Sequence, residues 1–149
     1  MLALLLATLV AGRDLTADAR VLDFFSDVYV HSGVSNRYAE TAAFLVRDTN
    51  GDVQCLAWPM TNEMRQESFK GSIPLQTIAL VHSHPSMDRY PTPHDMDVAR
   101  ALHLPMIVLT QTNVAVFDPE SGLTTLLIDN RNWVPRQIAE HCEKDWFIR

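Results

Sequence analysis

Polar and apolar positions along this chain change period several times, and each change marks an element. From Met1 to Gly12 the chain is apolar on every side. This stretch reads as a buried first helix. The rival reading is the apolar part of a secretory leader with Ala17-Asp-Ala19 as its processing site, although no basic residue precedes it and it is too short to span a bilayer. Thr16 then caps a second helix, on which Val21, Leu22, Phe24, Phe25, Val28 and Tyr29 form one stripe at helical spacing. Thr41–Arg47 and Val53–Trp58 read as strands. Between them Asp48–Asp52 is the clearest hairpin signal, because Asn50-Gly51 tolerates the positive φ that a tight turn needs. Met60–Gly71 is a polar connection with room for one helical turn.

The second half continues in the same way. Thr77–His82 is a short apolar run of β-formers and reads as a buried strand. Thr92 as N-cap, Pro93 at the first helical position and an acidic Asp95 begin a helix whose apolar stripe is Val98, Ala101 and Leu102. Met106–Thr110 and Asn113–Phe117 are strands joined tightly through Gln111-Thr112; Asp118–Gly122 is a turn, and Leu123–Ile128 is another strand. Trp133–Ile148 reads as a closing amphipathic helix with Ile138, Cys142 and Trp146 four residues apart. The order predicts an α/β fold, a mixed central sheet with helices against its faces. At 149 residues there is one core and little room for two, so the whole chain is expected to be one domain.

Chemistry enters at the end of the Thr77–His82 strand. Side chains two apart on a strand leave the same face, so His82 and His84 point the same way, and Pro85 ends the strand there. The two-proline segment from Pro85 to Pro91 can fold back and carry Asp95, in the first turn of the next helix, to the histidines. Two imidazoles and one carboxylate leave a fourth tetrahedral position for water, which is the open arrangement of catalytic zinc. The same donors also accept iron, cobalt or manganese. Glu40, at the mouth of the Thr41–Arg47 strand, is the candidate proton acceptor; Glu63 and Glu67 are rivals in a segment poorly suited to fixing a base. His31 and His103 lack a partner at metal spacing and read as terminal or core histidines, and His94 reads as exposed.

A glutamate entering a strand, then His-x-His-Pro, seven further residues, a hydroxyl residue and an Asp three positions later resembles the signature of the JAMM (MPN-plus) metalloproteases. Glu40, His82, His84 and Asp95 match that pattern at its spacing, within a stretch from about Tyr38 to Asp118. One position departs: Thr92 stands where the family has Ser, keeping the hydroxyl and adding a methyl. The resemblance implies a cytidine-deaminase-like α/β/α sandwich (the JAB/MPN fold) and one Zn2+ per chain held by His82, His84 and Asp95. It implies Glu40 as general base, Thr92 as donor to the oxyanion, and hydrolysis of a peptide or isopeptide bond. Its substrates include ubiquitin-like modifiers with a Gly-Gly terminus; here the substrate can equally be a sulfur-carrier protein or an unrelated peptide. The segments 59–75 and 85–91 are the only candidates for a substrate wall, and neither carries a recognisable modifier-binding patch. Two other readings stand beside this one: a metal-binding scaffold of the same family without turnover, and a secreted hydrolase of cell-wall or other peptides.

Charge and cysteine narrow the field. A net charge of -6 with no basic stripe argues against nucleic-acid binding and suits a neutral or basic protein partner. No segment is expected to cross a membrane stably. The two cysteines have no Cys-x-x-Cys spacing. Two buried free thiols are the favoured reading and a Cys55–Cys142 disulfide the other. A cytoplasmic location is favoured, with secretion or a periplasmic location following if the first residues are a leader.

Overall fold

A computed structural model describes Leu15 and residues 18–31, 40–59, 69–84, 90–134, 142–144 and 146. The described elements are α1 (Ala19–His31), β1 (Ala42–Arg47), β2 (Val53–Ala57), β3 (Thr77–Ser83), α2 (Pro93–Leu102), β4 (Met106–Leu109), β5 (Asn113–Asp118) and β6 (Leu123–Asp129). The apolar start at 1–12, the Thr16 cap, the residues Glu63 and Glu67 and most of the 85–91 connection lie outside the described residues.

The six strands form one mixed sheet in the order β2-β1-β3-β4-β5-β6. Four of the five pairings are antiparallel, and only β3–β4 is parallel. Adjacent parallel strands need a crossover rather than a hairpin, and α2 lies in it. The alternation of each strand divides the core in two. Ala43, Leu45, Ala79, Val81, Ile107 and Leu109 face α1, where Val21, Phe24, Phe25 and Val28 are buried. Phe44, Leu80, Val108 and Phe117 face the other way, with Ala99 of α2 buried among them. A mixed sheet therefore carries one described helix on each face. No helix among the described residues is long and apolar enough to cross a membrane.

The hairpin forms as the sequence predicts. Gly51 sits at φ +87°, and the Asp48 carboxylate accepts the backbone N–H groups of Asn50 and Asp52 across the loop.

The end of the chain departs from expectation. Trp133–Ile148 is not one helix: Trp133 belongs to a turn in which its N–H donates to the Asn130 carbonyl, and Glu143 forms a parallel bridge with Leu56 on β2. There the Glu143 N–H donates to the Cys55 carbonyl at 2.7 Å and its carbonyl accepts the Ala57 N–H at 2.9 Å. The otherwise open edge of β2 is thereby covered, and its unpaired backbone groups outcompete a helical turn. The same pairing brings the Cys55 and Cys142 Cα atoms within 4.6 Å, inside the range a disulfide bridges, and the two are joined. The expectation of two free thiols is therefore corrected. Beyond the disulfide, the Trp146 indole N–H donates to the Ala57 carbonyl at 2.7 Å and its ring packs on Phe69 and Phe44. The chain thus wraps β2 from one face of the sheet to the other.

Candidate metal centre

β3 delivers the two imidazoles. Leu80, His82 and His84 alternate onto the α2 face, and the His84 N–H donates to the Leu109 carbonyl at 2.8 Å, which continues the parallel pairing to the end of the strand. Both rings are almost wholly buried, His82 at 7% and His84 at 5% exposure. Their Nε2 atoms lie 2.8 Å apart.

α2 delivers the carboxylate. Thr92 is its N-cap: the Thr92 Oγ1 accepts the Asp95 N–H at 3.2 Å and the Asp95 Oδ2 accepts the Thr92 N–H at 2.7 Å, a complete capping box with Pro93 following the cap. The cap fixes the Asp95 carboxylate between the histidines, with Oδ1 at 3.2 Å from His82 Nε2 and Oδ2 at 3.2 Å from His84 Nε2. Burial pushes the Asp95 carboxyl up, but hydrogen bonds from His82 and His84, the charge of His82 and the Thr92 backbone outweigh it and hold the group well below the usual carboxylate range. Asp95 is ionised at neutral pH.

These three side chains are a potential cation-holding cluster among the described residues. Tetrahedral zinc with ligand bonds of about 2.0–2.1 Å separates its ligand atoms by about 3.3 Å. The imidazole nitrogens stand 2.8 Å apart, each has its own Asp95 oxygen at 3.2 Å, and one ligand atom from each of the three residues lies within 4.8 Å of the others; two imidazole nitrogens with a carboxylate oxygen are a donor set zinc takes. The residues fit the ion.

Glu40 is half-buried just ahead of β1. Its placement follows from register: Ala42 is the ladder partner of His82, so two residues earlier the alternation puts Glu40 on the histidine face, across from His84. A buried knot holds the backbone there. Thr41 donates its N–H to Ser83 Oγ at 2.9 Å, its carbonyl accepts the Ser83 N–H at 2.9 Å, and its hydroxyl donates to the Val28 carbonyl at the end of α1. Thr92, at the opposite side of the cluster, uses its hydroxyl oxygen as an acceptor in the cap, and that bond leaves the hydroxyl hydrogen for another partner.

His94 is exposed in the first turn of α2, and His103 is exposed at its C-cap, 3.5 Å from Glu120; neither joins the cluster. The aromatic group of Phe44, Trp58, Phe69 and Trp146 beside the site was not anticipated. Its members come from four separate segments, the first strand, the end of the second, the polar connection after it and the expected closing helix, so no local window contains the cluster. The chain matches no protein-family model, no curated protein and no solved structure.

Proposed function

We propose that this chain is a zinc-dependent hydrolase of peptide or isopeptide bonds, a JAMM-like domain with the cytidine-deaminase-like α/β/α sandwich of that family. The observation that carries the reading is the convergence of His82 Nε2, His84 Nε2 and the Asp95 carboxylate within 3.2 Å of one another at the end of β3. When bound, zinc supplies Lewis acidity, which acidifies a water molecule and polarises a carbonyl. Asp95 contributes one negative charge to the ion, and its cap keeps the carboxylate oriented. Glu40 takes a proton from the attacking water and returns it to the leaving amine. Thr92 donates its hydroxyl hydrogen to the carbonyl oxygen as that oxygen gains charge.

The net charge of -6 favours a neutral or basic substrate protein or peptide, a ubiquitin-like modifier among them. The Cys55–Cys142 disulfide favours work in an oxidising compartment, and so the exported alternative over the cytoplasmic one.

Elemental analysis of the purified protein beside a His82→Ala/His84→Ala variant tests the site: near one zinc per chain in the parent and almost none in the variant is expected. No metal in either protein after zinc is added and excess removed would reject the hydrolase. Glu40→Gln then separates an enzyme from a metal-binding scaffold. The variant should keep its zinc and lose turnover by about a hundred- to ten-thousand-fold.

A further inference from the structure

Ser83 stands between the two histidines in sequence, yet its side chain leaves the other face of the sheet. The β1–β3 register, in which Ala42 faces His82, continues to make Thr41 the partner of Ser83. Thr41 alternates with Ala43 and Ser83 with Val81, so both side chains fall on the α1 face, and both are buried, Ser83 wholly. A regular antiparallel pair at this position would exchange two backbone bonds. One is made, from the Ser83 N–H to the Thr41 carbonyl at 2.9 Å. The Thr41 N–H instead donates to Ser83 Oγ at 2.9 Å. A side chain thus stands in for the return bond of the ladder, at the point where the chain enters β1 from Glu40.

The hydrogens of this knot have a fixed direction. The Val28 carbonyl can only accept, so the single hydrogen of the Thr41 hydroxyl goes to it. Val28 is among the last four residues of α1, whose carbonyls have no partner within the helix, and Thr41 therefore also closes that helix end. Ser83 Oγ and Thr41 Oγ1 lie 3.2 Å apart. With the Thr41 hydrogen committed, Ser83 is the donor of that bond; its other acceptor, the Thr41 carbonyl, is farther away at 3.5 Å and already takes the Ser83 N–H. The bonds run one way, from the Thr41 N–H through the Ser83 and Thr41 hydroxyls to the Val28 carbonyl, and each polarises the next.

Glu40 is the residue before Thr41, and Ser83 is joined through the main chain to both His82 and His84. The chain of hydroxyls therefore ties the backbone of the candidate base to the backbone of two metal ligands, whereas Asp95 is oriented separately by its own cap. Misplacing a reacting group by about 1 Å can cost a hundredfold in rate. We infer that Thr41 and Ser83 are positioning residues, which act from the face opposite the metal centre and set the Glu40 carboxylate relative to His82 and His84. Their effect on rate rests on the hydrolase reading; their effect on the placement of Glu40 does not.

The test uses the full chain loaded with zinc, and a fluorogenic coumarin amide of a peptide ending in Gly-Gly as substrate. Thr41→Val keeps the shape of the side chain and removes its hydroxyl, Ser83→Ala removes the other hydroxyl, and Thr41→Ser keeps the chain of bonds. Thr41→Val and Ser83→Ala should each lower kcat about ten- to a hundredfold, with KM and zinc content within about twofold of the parent, and Thr41→Ser should stay within about threefold of the parent in kcat. Val53→Ala, a buried truncation at the far end of β2, should lower the melting midpoint and leave kcat unchanged. A second readout needs no turnover: in the Co2+-loaded protein, paramagnetic relaxation of the isotope-labelled Glu40 carboxylate carbon reports its distance from the ion. That relaxation should change in Thr41→Val and Ser83→Ala and hold in Thr41→Ser. Unchanged Glu40 relaxation in Thr41→Val and Ser83→Ala, or a kcat loss in Val53→Ala as large as theirs, would overturn the positioning role. Failure of the hydrolase reading shows in the parent itself: bound metal without turnover rejects the enzyme and leaves the relaxation to decide the placement of Glu40, and no bound metal overturns both.

Discussion

Thr92 and Asp95 form the capping box of α2, and under the proposed hydrolase each has a second task that substitutions can separate from the cap. Thr92→Ala removes the cap acceptor and should destabilise the protein by about 1 kcal/mol, read by chemical denaturation, together with a loss of turnover. Thr92→Ser keeps the cap and the hydroxyl and should hold stability to within a few tenths of a kcal/mol of the parent. The Asp95 carboxyl is held below its ordinary value, so the folded chain binds fewer protons there than the unfolded chain does. Its contribution is therefore complete above the unfolded value of about 3.9 and is lost as pH falls further. The metal-free protein should weaken below about pH 4, and Asp95→Asn should remove that part of the slope in denaturation midpoints measured against pH. At this scale the sequence is highly legible for His82 and His84, because a period of two fixes their common face. It is less so for Glu40, whose side of the sheet depends on a pairing with residues some forty positions away.

Elements with a strong local signal form where the sequence places them, within a residue or two. β1, β2 and their Asn50-Gly51 hairpin, β3, and α2 behind Thr92 and Pro93 are all of this kind. The segment after Trp133 is the opposite case. Its four-residue spacing of Ile138, Cys142 and Trp146 reads as a helix, yet at Cys142 and Glu143 the partner thiol of Cys55 and the unpaired edge of β2, both far away in sequence, hold the chain in a bridge instead. Joining residues 87 positions apart restricts the unfolded chain strongly. A Cys55→Ser/Cys142→Ser variant should lose about 4 kcal/mol in urea denaturation relative to the oxidised parent. α2 offers a change in the other direction. His103 closes that helix at φ 54°, a left-handed conformation that disfavours any residue with a Cβ. His103→Gly should stabilise the protein by up to about 1 kcal/mol, seen as a higher melting midpoint.

For the whole molecule, a bound ion stabilises the folded state by mass action. Free zinc at a thousandfold its dissociation constant should add about 4 kcal/mol, and a chelator should remove that increment without disturbing the disulfide. Calorimetry with and without chelator measures it. The general architecture was legible because six short strands and two helices each carry a local pattern, whereas the strand order arises from burial that no local window contains. The one parallel pairing, β3 with β4 across α2, has a consequence for the order of assembly. His82, His84 and Asp95 all belong to a single strand-and-helix unit of neighbouring sequence, while Glu40 arrives through the distant pairing of β1 with β3. Closing a short loop is fast and loses little entropy, and long-range strand pairing is slower. If the proposed zinc hydrolase holds, a refolding chain should therefore capture zinc before it becomes competent for hydrolysis, the ion acting first as a folding template. In stopped-flow refolding, metal uptake should run ahead of recovered turnover, leaving a transient species that is loaded and inert.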